Sequence, residues 1–294
     1  MRNDGPVVIA LDGSVRSGHT LGWGLEQAER LHAEVVLARA AHLAAEYPLW
    51  GWYPDIDPGF ELEAKSYLAE TLERAQAMHP ALRVRAELLR GPAVAELLTQ
   101  SESAQLLVVG AGTRSRGLGR TAAHLVAHAR CPVAVVRPVR TQLEGWGTMR
   151  GPVVTGVDGS PASIEAAHRA AREAVLRGAG LLVVHARPTI ASPFGAGVVP
   201  PHPAAEGDEE PVRMAVQRLV DALQQEHRGL EVESSVVDDD PADALVEASY
   251  GAQLLVVGSR GLGAFRGMLL GSVSNDVARH APCPVLVLHG ADPD

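Results

Sequence analysis

The sequence repeats itself, and this duplication constrains the fold more than any other feature. Val8-Ile9-Ala10-Leu11-Asp12-Gly13-Ser14 returns as Val154-Thr155-Gly156-Val157-Asp158-Gly159-Ser160. Ala104-Gln105-Leu106-Leu107-Val108-Val109-Gly110 returns as Ala252-Gln253-Leu254-Leu255-Val256-Val257-Gly258, and Cys131-Pro132-Val133 as Cys283-Pro284-Val285. A chain of 294 residues therefore reads as two domains, residues 1–140 and 151–294. Gly145, Trp146, Gly147 and Gly151-Pro152 mark the linker between them, over residues 139–151.

Each copy alternates strand-like and helix-like segments. In the second, apolar runs predict strands at 152–158, 181–186, 230–237, 252–258 and 284–289. Ser160 as N-cap and Pro161 at N1 open a helix whose apolar face is Ile164, Ala167, Ala171, Ala174 and Val175. Further helices fit 208–227, 241–250 and 272–280. The first copy repeats the order, with strands at 6–12, 34–40, 82–89, 104–110 and 132–138. Continuous apolar strands alternating with helices predict an α/β fold: two tandem Rossmann-like or flavodoxin-like domains. Each would be a five-stranded parallel sheet with helices on both faces.

Composition narrows the function classes. The chain holds 26 basic and 35 acidic residues, a net charge of −9, which argues against nucleic acid or a membrane surface as partner. Its single lysine, Lys65, lies in Ala64-Lys65-Ser66, so there is no Walker A loop. Schiff-base chemistry would have only that one residue to use. Two cysteines at matching repeat positions, Cys131 and Cys283, read as small buried residues rather than a redox pair. No apolar run approaches the roughly 18 residues of a membrane span, and Met1-Arg2-Asn3-Asp4 leads straight into a strand. A cytoplasmic location is the expectation.

The two copies differ after their fourth strand. Gly110 to Cys131 is 21 residues and Gly258 to Cys283 is 25, so the first copy lacks four. In the second, this segment runs from Gly258-Ser259-Arg260-Gly261-Leu262-Gly263 through Arg266 to Gly271-Ser272, where the last helix begins. Parallel α/β sheets place ligands beyond their strands' carboxyl ends, beside helix N-termini that favour anions. Glycines let the backbone approach phosphate oxygens, and Arg260 and Arg266 can add charge-assisted bonds. The segment is not a dinucleotide fingerprint, which needs a third glycine where Arg266 stands and follows the first strand.

Gly258-x2-Gly261-x9-Gly271-Ser272 resembles the complete ATP-binding pattern of the universal stress proteins, G-x2-G-x9-G-(S/T). Val157-Asp158-Gly159-Ser160, Val183-Val184-His185-Ala186, Pro241 and Cys283-Pro284-Val285 resemble that family too. The likeness covers nearly the whole chain, twice. It implies that Asp158 contacts the adenosine portion and that Ala186 lines an adenine pocket. Gly258, Gly261, Gly271 and Ser272, with the amides of Val273 and Ser274, would hold the phosphates, and Arg260 and Ser160 are counted with this set. ATP with Mg²⁺ or Mn²⁺ is the implied ligand. Pairing of the two copies through their last strands, and a dimer of chains, are also implied. Asp158-Gly159-Ser160 can equally be read as a turn and helix cap, and both readings can hold together.

The first copy keeps Asp12-Gly13-Ser14 but has Thr113 at the second glycine. Counting back from the cysteines sets Gly119-Arg120 opposite Gly271-Ser272, while another alignment sets Arg116-Gly117-Leu118-Gly119 opposite Arg260-Gly261-Leu262-Gly263. Either way the Gly-Ser helix start is gone. The expectation is that ATP is held mainly by the second copy, in a nucleotide-dependent stress-response regulator with an unidentified protein partner. A slow ATP hydrolase or transferase and a nucleotide-free dimeric scaffold are the alternatives.

Other features have a structural reading that is preferred to a functional one. His124 and His128 have a metal pair's spacing but no glutamate of a zincin motif. Asp238-Asp239-Asp240 precedes Pro241 at a helix start, where acids favour the dipole. Tyr47, Trp50, Trp52, Tyr53 and Phe60 could form a lid, a stacking platform or a partner surface, and a local hydrophobic cluster closing over a vacant site in the first copy is the preferred reading.

Overall fold

The computed structural model of the chain describes residues 4–41, 58–112, 117–137, 150–187, 209–262 and 270–289. The first repeat runs β1 (Val7–Ala10), α1 (Ser17–Arg30), β2 (Val35–Ala40), α2 (Pro58–Met78), β3 (Val84–Leu89), α3 (Ala93–Ser101), β4 (Leu106–Gly110), α4 (Arg120–His128) and β5 (Val133–Val136). The second runs β6 (Val153–Gly156), α5 (Pro161–Arg177), β7 (Leu181–Arg187), α6 (Glu209–Glu226), β8 (Val232–Asp238), α7 (Pro241–Ala248), β9 (Leu254–Gly258), α8 (Ser272–His280) and β10 (Val285–Leu288). The alternation expected from the apolar runs is the one observed.

The chain divides into two compact units, residues 1–148 with 284–294, and residues 149–283. In the first, β3, β2, β1, β4 and β5 lie side by side and parallel. The last strand of the chain, β10, joins this unit: it runs antiparallel to β5, with Val285 opposite Val135 and Val287 opposite Val133. In the second unit β9, β6, β7 and β8 are parallel in that order. The linker over 139–151, except Arg150 and Gly151, lies outside the described residues, as do residues 191–206.

Successive strand residues point to opposite faces, so burial of consecutive residues means that both faces are covered. Val7, Val8 and Ile9 in β1 and Leu254, Leu255 and Val256 in β9 are all fully buried. The outer strands β3 and β8 instead expose Arg85 and Glu233, charges that discourage edge-to-edge pairing.

Helix ends follow local chemistry. The Ser160 hydroxyl accepts from the Ser163 amide at 3.2 Å, Pro161 fits N1, and Gly178 closes α5 with φ of 60°. At α7 the Asp240 carboxylate accepts from the Ala242 and Asp243 amides at 2.8 and 3.3 Å, so this acid is a cap as expected. In α1 the matching positions are Ser14 and Val15; without the proline, the helix starts only at Ser17.

The sheet order reverses on either side of the first strand of each repeat. β1 lies between β2 and β4, and β6 between β7 and β9. The helices leave in opposite directions there, which opens a crevice at the carboxyl ends of the strands.

Candidate functional site

In the second unit that crevice is a cavity of about 640 Å³. The carboxyl ends of β6, β7 and β9 and the start of α8 form its walls. Asp158, Ala186, Gly258, Arg260, Gly261, Gly271, Ser272, Val273 and Ser274 all line it, so nine of the sequence-derived residues are brought together. Ser160 is not among the lining residues. It is 5% exposed, capping α5, and its amide donates to Asp158 Oδ1 at 3.0 Å. Its place is behind Asp158 rather than in the cavity. The segment 263–269, with Arg266, lies outside the described residues.

Asp158 ties the cavity's two halves together. Its Oδ2 accepts from the Leu262 amide at 2.7 Å, across 104 residues of sequence, and its own amide donates to Ser163 Oγ at 3.3 Å. Burial pushes the Asp158 carboxyl up, but hydrogen bonds involving Ser160, Leu262 and Ser163 outweigh it and hold the group below its usual 3.8. The cavity therefore contains a carboxylate with acceptor capacity left over.

Opposite it lies an anion-binding geometry. The Gly271 amide is spent on Ser259 O at 2.7 Å, which fixes the start of α8. The amides of Ser272, Val273 and Ser274 fall in the first turn, outside the helix's own hydrogen-bond ladder, with no acidic residue beside them. The Ser274 hydroxyl does not face a ligand: it donates to Gly258 O at 2.5 Å and locks α8 to the end of β9. Ser272 leaves its hydroxyl at the cavity wall.

The remaining wall is apolar: Val184, Ala186, Pro241 and Leu245. At its edge His185 Nδ1 donates to Val157 O at 2.8 Å, which leaves Nε2 as the free ring nitrogen. Arg187, paired with Asp238 at 2.7 Å, closes the far end. Sequence reasoning assigned no role to Ser163, Leu245 or Arg187. Ser163 had a signal, since Ser17 occupies the matching position beside Asp12.

The first unit has a cavity of about 590 Å³ at the corresponding place. Asp12 repeats the turn: its Oδ1 accepts from the Ser14 amide at 2.9 Å, and its amide donates to Ser17 Oγ at 3.3 Å. Gly119 N donates to Ala111 O at 2.8 Å, as Gly271 N does to Ser259 O. Both glycines are N-caps with nearly the same angles, φ −63° and ψ 154° against −70° and 155°. Gly119-Arg120 is thus the counterpart of Gly271-Ser272, and the alternative alignment is discarded. Of the aromatic cluster, residues 47–57 lie outside the described residues; Phe60 lines the cavity and is 42% exposed.

Among the described residues, no group of three or more His, Cys, Asp or Glu side chains could hold a metal ion. His124 and His128 stack at 5.6 Å, and His128 Nδ1 donates to His124 O at 2.9 Å, a structural arrangement. No helix among the described residues is long and apolar enough to cross a membrane.

Fold and site together define a tandem α/β protein with a cleft suited to a ligand that has an apolar body and an anionic end. The chain belongs to the universal stress protein family, whose model matches it twice, over residues 5–137 and 149–289. Universal stress protein Rv2005c of Mycobacterium tuberculosis is 32% identical over 292 residues, covering 96% of each chain. The crystal structure of a universal stress protein from Archaeoglobus fulgidus DSM 4304 aligns with a TM-score of 0.71 at 19% identity, covering 99% of this chain and 98% of that one. A universal stress protein solved in complex with cAMP matches 48% of this chain and 98% of its own, at 33% identity and a TM-score of 0.37.

Proposed function

We propose that this protein is a nucleotide-dependent stress-response regulator in the cytoplasm that binds ATP, mainly through its second repeat, with domains at 1–140 and 151–294. The observation that carries this reading is the convergence of Asp158, the glycines of the β9–α8 segment and the free amides of α8 on one cavity. The apolar wall around Ala186 suits a purine ring, and the Asp158 carboxylate suits ribose hydroxyls or the adenine amino group. The amides of Ser272, Val273 and Ser274, the Ser272 hydroxyl and Arg260 suit the phosphates. These donors fit an anion rather than a cation. An accompanying Mg²⁺ or Mn²⁺ would be held through triphosphate oxygens and water.

The antiparallel register of β10 on β5 supports pairing of the two repeats' last strands. A dimer of chains and a protein partner whose docking responds to nucleotide complete the proposal.

Calorimetry of the full chain with ATP and Mg²⁺ tests it. One ATP per chain is expected, with binding lost in Gly261→Glu. Undiminished binding in that variant, or no binding at millimolar ATP, would overturn the reading.

A further inference from the structure

The repeat lets the two cavities be compared position by position. Ala10 pairs with Ala38 as Gly156 pairs with Val184, which sets Arg39 against His185. The bonds from the Asp12 and Asp158 amides to Ser17 and Ser163 set Arg16 against Ala162. The N-cap glycines set Arg120 against Ser272. At three positions the first repeat has arginine where the second has alanine, histidine and serine. All three arginines line the first cavity.

Two of them lie at the same end. Arg16 Nη1 donates to Gly112 O at 3.2 Å. Gly112 abuts Gly119, since a Cβ built on it would lie 3.0 Å from Gly119 Cα, and Gly119 caps α4. Arg120 is the first residue of that helix, whose first turn carries no acid. In a chain of net charge −9, positive charge is thus concentrated at the N-terminus of α4.

Arg39 is held differently. It bonds Glu63 at 3.3 Å and stacks on the Tyr67 ring at 4.6 Å. Its guanidinium fills the space above Gly13, where a Cβ would come within 2.9 Å of it; above the matching Gly159 there is nothing within 4 Å. Arg39 thus occupies the turn beside Asp12, where the matching turn beside Asp158 stays open, and Ala40, Ala93 and Leu97 are among the apolar residues lining the rest of the cavity.

We propose that the first repeat's cavity binds a compact phosphate monoester with a small apolar body, a ligand distinct from ATP. Three terminal oxygens on a tetrahedral dianion can accept from Arg16, Arg120 and the α4 amides from different directions, which a planar carboxylate cannot do as well. The four-residue deletion and the filled turn work against a nucleoside triphosphate. In place of the backbone cradle beside Gly261, the first repeat offers guanidinium groups.

The test is calorimetry of phenyl phosphate with full-length Gly261→Glu protein, which alters only the second repeat. One phenyl phosphate per chain is expected, undisplaced by ATP, weakened at least about tenfold in Arg16→Ala/Arg120→Ser and weakened by added salt. These substitutions install the second repeat's own residues at exposed positions, and circular dichroism checks the fold. Absence of phenyl phosphate binding, or binding unchanged in the double variant, overturns the proposal. Neither result bears on ATP binding by the second repeat, which the wild-type titration reads separately.

Discussion

Asp158 Oδ2 accepts a hydrogen bond from the Leu262 amide, and the same oxygen occupies the space that a side chain on Gly261 would need. One carboxylate thus dictates a glycine more than a hundred residues away. The glycine at this place answers to Asp158 even before any ligand is considered.

Gly261→Ala is accordingly expected to push Asp158 off Leu262 and weaken ATP binding at least about tenfold, or roughly 1.4 kcal/mol. Calorimetry gives the affinity, and hydrogen exchange at the Leu262 amide reports the bond. An alanine variant with wild-type affinity and a protected amide would refute the steric argument.

The carboxylates at both turns contribute to acid stability. Burial raises both Asp12 and Asp158, but hydrogen bonds from the turn that follows, and at Asp158 also from the Leu262 amide, hold each below 3.8. A depressed folded pKa gives stability that is present above the unfolded value and lost as pH falls through the folded one. Asp158→Asn should therefore be less stable than wild type at pH 6, with the gap narrowing below about pH 4. Urea unfolding at pH 6, 4 and 3 follows this; a gap independent of pH would contradict it.

Glu173 is fully buried on α5, between Arg169 and Arg177 one turn away on either side. The Arg177 side chain is itself 3% exposed. Removing a buried acid strands its cationic neighbours, at about 3–5 kcal/mol. Glu173→Ala should lower the denaturant midpoint of the second unit by that order, whereas Arg169→Ala, which removes the more accessible arginine and leaves Arg177 beside Glu173, should cost less. Equal effects would show that the burial of Arg177 is immaterial.

Cys131 is buried, and burial pushes its thiol up to about 12. The thiolate is the reactive form. In the native protein Cys131 should therefore resist a disulfide reagent at pH 8 and react at once in denaturant. Rapid native labelling at Cys131, read by mass spectrometry, would be the contrary result.

The strands and caps were legible because their signals are local. The apolar runs of β1, β4, β6 and β9 are contiguous, and Ser160-Pro161 and Asp240-Pro241 announce their helices. The motif supplied four of the residues that line one cavity, Gly258, Gly261, Gly271 and Ser272, and the wider family resemblance and the neighbouring residues supplied the other five. Contacts set by topology were hidden. Nothing in the chain links Asp158 to Leu262, or Arg16 to Arg39 and Arg120, until the sheet order puts β1 beside β2 and β4, and β6 beside β9. The position of Gly119 was ambiguous for a related reason: the two alignments differ only in where the missing residues fall, and a hydrogen bond to Ala111 decides between them.

Because β10 belongs to the first compact unit, that unit is assembled from both ends of the chain. During synthesis its β5 edge, Val133-Ala134-Val135-Val136, waits about 150 residues for a partner, on the order of 8–30 s at roughly 5–20 residues per second. Throughout that interval an apolar edge that is buried in the finished protein stands open on the ribosome. Biogenesis, more than the folded state, is where a chaperone would matter to this chain.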